Sequence, residues 1–117
     1  MTTTELRDRI EREATIEVDA LPEDAPVRGN AMASGDDEYD RQVEDNILAK
    51  LEYEPWAWCT VRVRGQWRGL SADDYLGCCS YDGETDFTGP SNDYYDQMRQ
   101  TVIDGLYEQA MEIIDAV

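Results

Sequence analysis

The side chains able to do chemistry here are 27 Asp and Glu, nine Arg, one Lys and three Cys, with no His at all. Without His, every His-dependent triad and every His-containing zinc site is excluded. Paired carboxylates can serve acid–base work or hold Mg²⁺. With 27 acids in 117 residues, however, chance pairs are everywhere, and no nucleophile–base pair accompanies them. Asp36-Asp37-Glu38 reads as charge placed at a helix N-terminus. The stretch from Gly29 to Gly35 lacks the spacing and the Lys of a phosphate loop. Cys59, Cys78 and Cys79 are an odd count, which points to reduced thiols. A structural zinc site needs four ligands, and three thiols fall short. On a strand the vicinal pair points to opposite faces, so the cysteines read as small buried hydrophobes. No catalytic residue, metal ligand or cofactor is expected.

Charge points to binding instead. Residues 55–70 hold no acid, three arginines (Arg62, Arg64, Arg68) and all three tryptophans (Trp56, Trp58, Trp67). The rest of the chain therefore carries −20, three units below the total of −17. Trp and Arg are enriched at binding hot spots, which makes Trp56, Trp58, Arg62 and Arg64 candidate anchors. The opposing reading buries Trp56 and Trp58 in the core and pairs the arginines with surrounding acids. The acids have three readings. As a nucleic-acid mimic, they would present a dense one-sided array, since duplex DNA carries one charge per about 1.7 Å of axis. Asp37, Asp40, Glu44 and Asp45 on one helix are the candidates for that array. The other two readings are adaptation to a salty cytoplasm and ordinary solubility.

The elements that must position these residues follow from spacing. Thr2-x-x-Glu5 has the form of a capping box, and Leu6, Ile10 and Ala14 follow at helical spacing, which predicts a short helix over 3–14. Residues 15–19 alternate as an edge strand. Residues 21–35, with Pro22, Pro26, Gly29 and Gly35, read as a loop whose tightest turn is Gly29-Asn30. Ser34 is read as the cap of a helix at about 36–51, with Tyr39, Val43, Ile47 and Leu51 as its apolar stripe. From Trp56 to Arg64 the pattern has period two, with Ala57, Cys59, Val61 and Val63 on one face and Trp56, Trp58, Thr60, Arg62 and Arg64 on the other. With a second strand around 75–81 this makes an antiparallel hairpin, over about 56–66 and 74–81. Gly77 suggests a bulge or a close approach. Residues 82–90 read as a loop. A last helix at about 92–115, capped by Ser91 or Asn92, presents Tyr95, Met98, Val102, Leu106, Ala110 and Ile113, widened by Ile103 and Ile114. Gly105 inside it suggests close approach of a neighbour. The expected fold is α+β: a small antiparallel sheet packed by two main helices and a short N-terminal one.

Leu, Ile, Val and Phe together number only 21 of 117, a composition bordering on disorder; seven Tyr and three Trp pull the other way. The length suits one domain, with residues 1–25 as a more loosely attached N-terminal segment. No apolar run approaches the roughly 18 residues of a membrane span. Met1–Glu5 lacks a basic and then apolar lead, so no secretory signal is expected.

Four blocks are similar to a recurrent pattern in small acidic proteins of tailed phages and mobile elements: Pro26–Asp37 (PVRGNAMASGDD), Trp56–Cys59 (WAWC), Asp74–Tyr81 (DYLGCCSY) and Tyr94–Met98 (YYDQM). The similarity covers roughly 26–100. It brings no assigned activity and no catalytic residues. It implies an accessory gene product acting in the host cytoplasm. The expectation is a non-enzymatic protein that binds and inhibits or redirects a host protein, one that itself binds nucleic acid if the acids act as a mimic. No membrane contact and no direct nucleic-acid binding are expected. The alternative is an assembly role in which the Trp/Arg face makes a homo-oligomer.

Overall fold

A computed structural model describes residues 2–116. The Thr2 hydroxyl accepts the Glu5 N–H at 3.1 Å and starts α1 (Thr3–Glu13), as the capping pattern requires. After Ala14 the chain extends into β1 (Thr15–Leu21). A long loop leads to α2 (Asp37–Leu51), then a short 3-10 turn at Pro55–Ala57. β2 (Cys59–Trp67) and β3 (Leu70–Cys79) follow, then α3 (Glu84–Phe87) and α4 (Asp93–Ala116). The strands form a three-stranded antiparallel sheet in the order β1-β2-β3. The fold is α+β, as the patterning predicts, and β1 lies at an edge.

Several local expectations are corrected. The cap of α2 is Asp36, whose side chain accepts the Tyr39 N–H at 3.1 Å; Ser34 instead donates its hydroxyl to Asp40 at 2.6 Å. The expected apolar stripe of α2 is shallow: Tyr39 is 49% exposed, while Glu44 is buried. The hairpin is shifted and tighter. Strand β2 begins only at Cys59, because the 3-10 turn occupies Pro55–Ala57. It continues to Trp67, where Arg68 (φ 49°) and Gly69 (φ 82°) close a two-residue turn. Positive φ at both central positions is the type I′ pattern, whose twist matches that of paired strands. Alternation along β3 slips at Gly77-Cys78, both exposed before buried Cys79. The left-handed residue there is Cys78 (φ 54°), one residue past Gly77; at Gly77 itself a Cβ would stand 3.0 Å from Glu23 Oε1, the close approach that the glycine suggests. Residues 84–87, read as loop, make one helical turn that buries Phe87.

The chain divides into two compact units. The first comprises Met1–Val18, Arg62–Tyr75 and Asp93–Val117. Its core is Leu6, Ile10, Val63 and Trp67 with Met98, Val102, Ile103, Leu106 and Ala110 from α4. Arg7 ties α1 to α4 by an ion pair with Asp104 and lies 5.8 Å from the Tyr107 ring centroid. Gly65 on β2 lets Val102 pack directly on the strand: a Cβ there would stand 2.4 Å from Val102 Cγ1. Gly105 plays the matching part on α4, against Ala72, as its place in the helix suggests. Of the expected α4 stripe, Ile113 and Ile114 remain 53% exposed.

The second unit comprises Asp19–Val61 and Leu76–Asn92. It buries Val27, Ala57, Trp58, Cys59, Val61, Cys79 and Phe87. Trp56, Tyr81 and Phe87 form an aromatic cluster, with Tyr81 edge-on to Phe87 at 5.0 Å and to Trp56 at 6.5 Å. The Tyr81 N–H donates to the Trp56 carbonyl at 2.8 Å. In a chain poor in aliphatics, these rings supply burial that Leu and Ile usually provide.

Candidate binding surfaces

The four acids proposed as an array all lie on α2, yet three of them bind the preceding loop. Asp40 accepts the Ser34 N–H and hydroxyl. Glu44 is buried and accepts the Gly29 N–H at 2.7 Å, with Arg28 at 3.3 Å. Asp45 pairs with Arg28. The Gly29-Asn30 turn is further closed by Asn30 and Ala31 N–H groups on the Val27 carbonyl, and Gly29 itself is left-handed at φ 81°. Only Asp37 of the four is exposed and holds no other side chain among the described residues.

The aromatic/Arg anchors divide in the same way. Trp58 is 5% exposed, and its indole N–H donates to the Ala25 carbonyl at 2.8 Å. Trp56 packs in the aromatic cluster. The two opposing readings of strand 56–64 are thus both partly met. The aliphatic face of β2 is buried, and Trp58 is buried as well, because position 58 precedes the strand and escapes its period. Arg62 and Arg64 alternate with the buried valines and are half-buried.

Arg64 lines a feature that spacing alone does not reveal. In the first unit, Glu13, Thr15, Arg64, Gln66, Trp67 and Ser71 surround an open cleft of about 500 Å³, completed by the Arg68-Gly69-Leu70 corner. The Glu13 carboxylate accepts the Trp67 indole N–H at 3.2 Å and is paired with Arg68 at 3.4 Å and Arg9 at 3.5 Å. Arg68 also lies over the Trp67 ring, 5.1 Å from its centroid. The available signal was the period of β2: Val61, Val63, Gly65 and Trp67 are consecutive members of one face, which carries the strand on to Trp67, one residue past its expected end.

The second unit has a more apolar hollow of about 500 Å³ lined by Ala20, Leu21, Pro22, Glu23, Leu51, Pro55 and Trp58. Glu23 beside it accepts the Cys78 and Ala25 N–H groups, and these bonds, Cys78 first, hold its carboxyl below the usual value. Cys59 is buried and its thiol is pushed up to about 12, chiefly by burial. Cys79 is also buried, and desolvation raises its thiol. Cys78 is exposed, and its thiol is raised by local desolvation and then by Glu23. Among the described residues, no group of three Cys, Asp or Glu is placed to hold a metal ion, and no helix is long and apolar enough to cross a membrane. Compared with protein-family models, curated proteins and solved structures, the chain gives no match.

Proposed function

We propose that this is a non-catalytic binding protein that engages a basic protein partner through the acidic surface of its second unit. The supporting observation is the charge left over once internal pairings are counted. That unit holds 14 acids and three bases, a net −11. Two of the three bases, Arg28 and Lys50, are already in ion pairs. Asp37, Glu38, Glu52 and Glu84 are exposed, and they are the contact acids of this proposal. Such a field steers a basic partner and suppresses acidic ones. In the accessory role that the phage-protein similarity implies, the partner is a host protein in the host cytoplasm, and binding inhibits or redirects it.

The test is affinity capture from bacterial lysate with rising salt, comparing wild type with the Asp37→Asn, Glu38→Gln, Glu52→Gln, Glu84→Gln variant. Wild type is expected to retain a basic protein that the variant loses, with both showing the same far-UV spectrum. Equal retention would sink the proposal. Release by duplex DNA at constant ionic strength would add nucleic-acid mimicry. Release by salt alone would leave a plain acidic docking surface.

A further inference from the structure

Arg64 is half-buried on β2, and among the described residues it forms no ion pair, whereas Arg7, Arg9, Arg28, Lys50 and Arg68 do. Arg99 on α4 is likewise half-buried and without an ion pair, but of the two it is Arg64 that lines the cleft at the hairpin end. A partly buried guanidinium with no carboxylate partner keeps its N–H donors free for an acceptor that enters beside it. Arg64 opens onto the 500 Å³ cleft at the end of the β2–β3 hairpin, a volume within the usual range for small-ligand sites.

The rest of the lining fits an anion with an organic body. Arg68 adds a second guanidinium, fixed by its stacking on Trp67 and its bond to Glu13. Arg68 also sits in the left-handed region at φ 49°, where a non-glycine residue is uncommon and strained. Glu13 is the one acid of the lining, and Arg9, Arg68 and the Trp67 N–H already occupy it. Gln66, Ser71 and Thr15 are exposed hydrogen-bonding groups, and Trp67 and Leu70 are apolar wall.

We infer that this cleft binds a small phosphate- or carboxylate-bearing molecule, its oxyanion held by Arg64 and Arg68 and its body lying along Trp67 and Leu70. The guanidinium fork matches either oxyanion in bidentate geometry. A small ligand fits better than a polyanion: the chain carries −17, so an extended negative strand would be repelled everywhere beyond the cleft. The inference is independent of the acidic docking surface, since every lining residue belongs to the first unit and every contact acid to the second.

The experiment is calorimetric titration of the full chain with adenosine monophosphate and, separately, with citrate. Saturable one-to-one binding of at least one probe is expected, and the two arms separate phosphate from carboxylate. Arg64→Gln should weaken it about tenfold or more, as loss of a bidentate charged contact does. Arg64→Lys should lie between the two. Arg41→Gln, at an exposed position on α2 in the other unit, should bind as wild type. Melting curves of each variant check the fold; should Arg64→Gln fail to fold, Arg64→Lys and Ser71→Ala carry the comparison. Silence with both probes at millimolar concentration overturns the inference, and so does binding that Arg64 variants leave unchanged. Arg64-dependent self-association without ligand binding also overturns it, and would assign the cleft to a second copy of the chain.

Discussion

The Glu44 carboxylate accepts the backbone N–H of Gly29 at 2.7 Å from inside the second unit, where its residue is 8% exposed. An acid counted as outward charge is therefore the clasp that closes the 26–36 loop on α2. A charged acceptor on a backbone amide contributes more than a neutral one, and removing it also takes a carboxylate from Arg28 and leaves space where the buried Glu44 side chain stood. Glu44→Ala is expected to lower unfolding stability by about 2 kcal/mol, read by chemical denaturation. Asp37→Asn, at an exposed position, should change it by no more than about 0.5 kcal/mol. Equal effects would show that Glu44 does not act as a clasp.

Gly65→Ala should be among the most damaging single-atom additions. The new methyl would stand 2.4 Å from Val102 Cγ1, with Leu106 Cδ1 at 3.2 Å and Ile16 Cδ1 at 3.3 Å. Val102 is fully buried and its branched side chain has little rotameric freedom. A loss of about 1–3 kcal/mol is expected. Val102→Ala in the same chain should recover part of it, and a double-mutant cycle measures how much.

The three thiols should separate by access. Cys78 is exposed, whereas Cys59 and Cys79 are buried. Burial pushes the Cys59 thiol up to about 12, so its thiolate is scarce at neutral pH. A thiol reagent at pH 8 should titrate one group in the native protein and three in denaturant. Cys78→Ser should abolish the native reaction, and a native count of three would refute the burial of β2 and the end of β3.

Acid should loosen the Glu23 clasp. Its folded-state pKa lies below the ordinary 4.5 because the Cys78 and Ala25 N–H groups favour the charged form. A depressed carboxyl pKa contributes stability that is present above the unfolded value and lost as pH falls through the folded one. Stability should therefore drop below pH 4.5, and Glu23→Gln should flatten that part of the profile. An unchanged slope would remove Glu23 from the acid response.

Salt should act in the opposite sense to its effect on a protein held by surface ion pairs. The net charge of −17 makes the folded chain repel itself. Raising salt from about 0.1 M to 1 M shortens the Debye length from about 10 Å to about 3 Å. The melting temperature should rise by several degrees over that range, measured by calorimetry with a non-specific salt. A fall would mean that pairs such as Arg7–Asp104 outweigh the repulsion.

The sequence by itself determined the elements whose signals are local. Thr2 and Glu5 mark the start of α1, the alternation of Cys59, Val61 and Val63 marks β2, and the spacing from Met98 to Ala110 marks α4. Each is a pattern of neighbours along the chain, so no distant residue is needed to read it. The α+β class and the hairpin followed from these. The direction of individual charged and aromatic side chains did not, because a period tells which residues share a face and not what lies opposite. Glu44 turns inward because Gly29 and Arg28, 15 and 16 residues earlier, stand against it. Trp58 is buried because the Pro55–Ala57 turn breaks the strand period before it. The Arg64 cleft needs Glu13 and Thr15 beside Trp67 and Ser71, residues more than fifty positions apart. Tertiary structure alone decides such placements, since they depend on which groups compensate one another's desolvation across the fold.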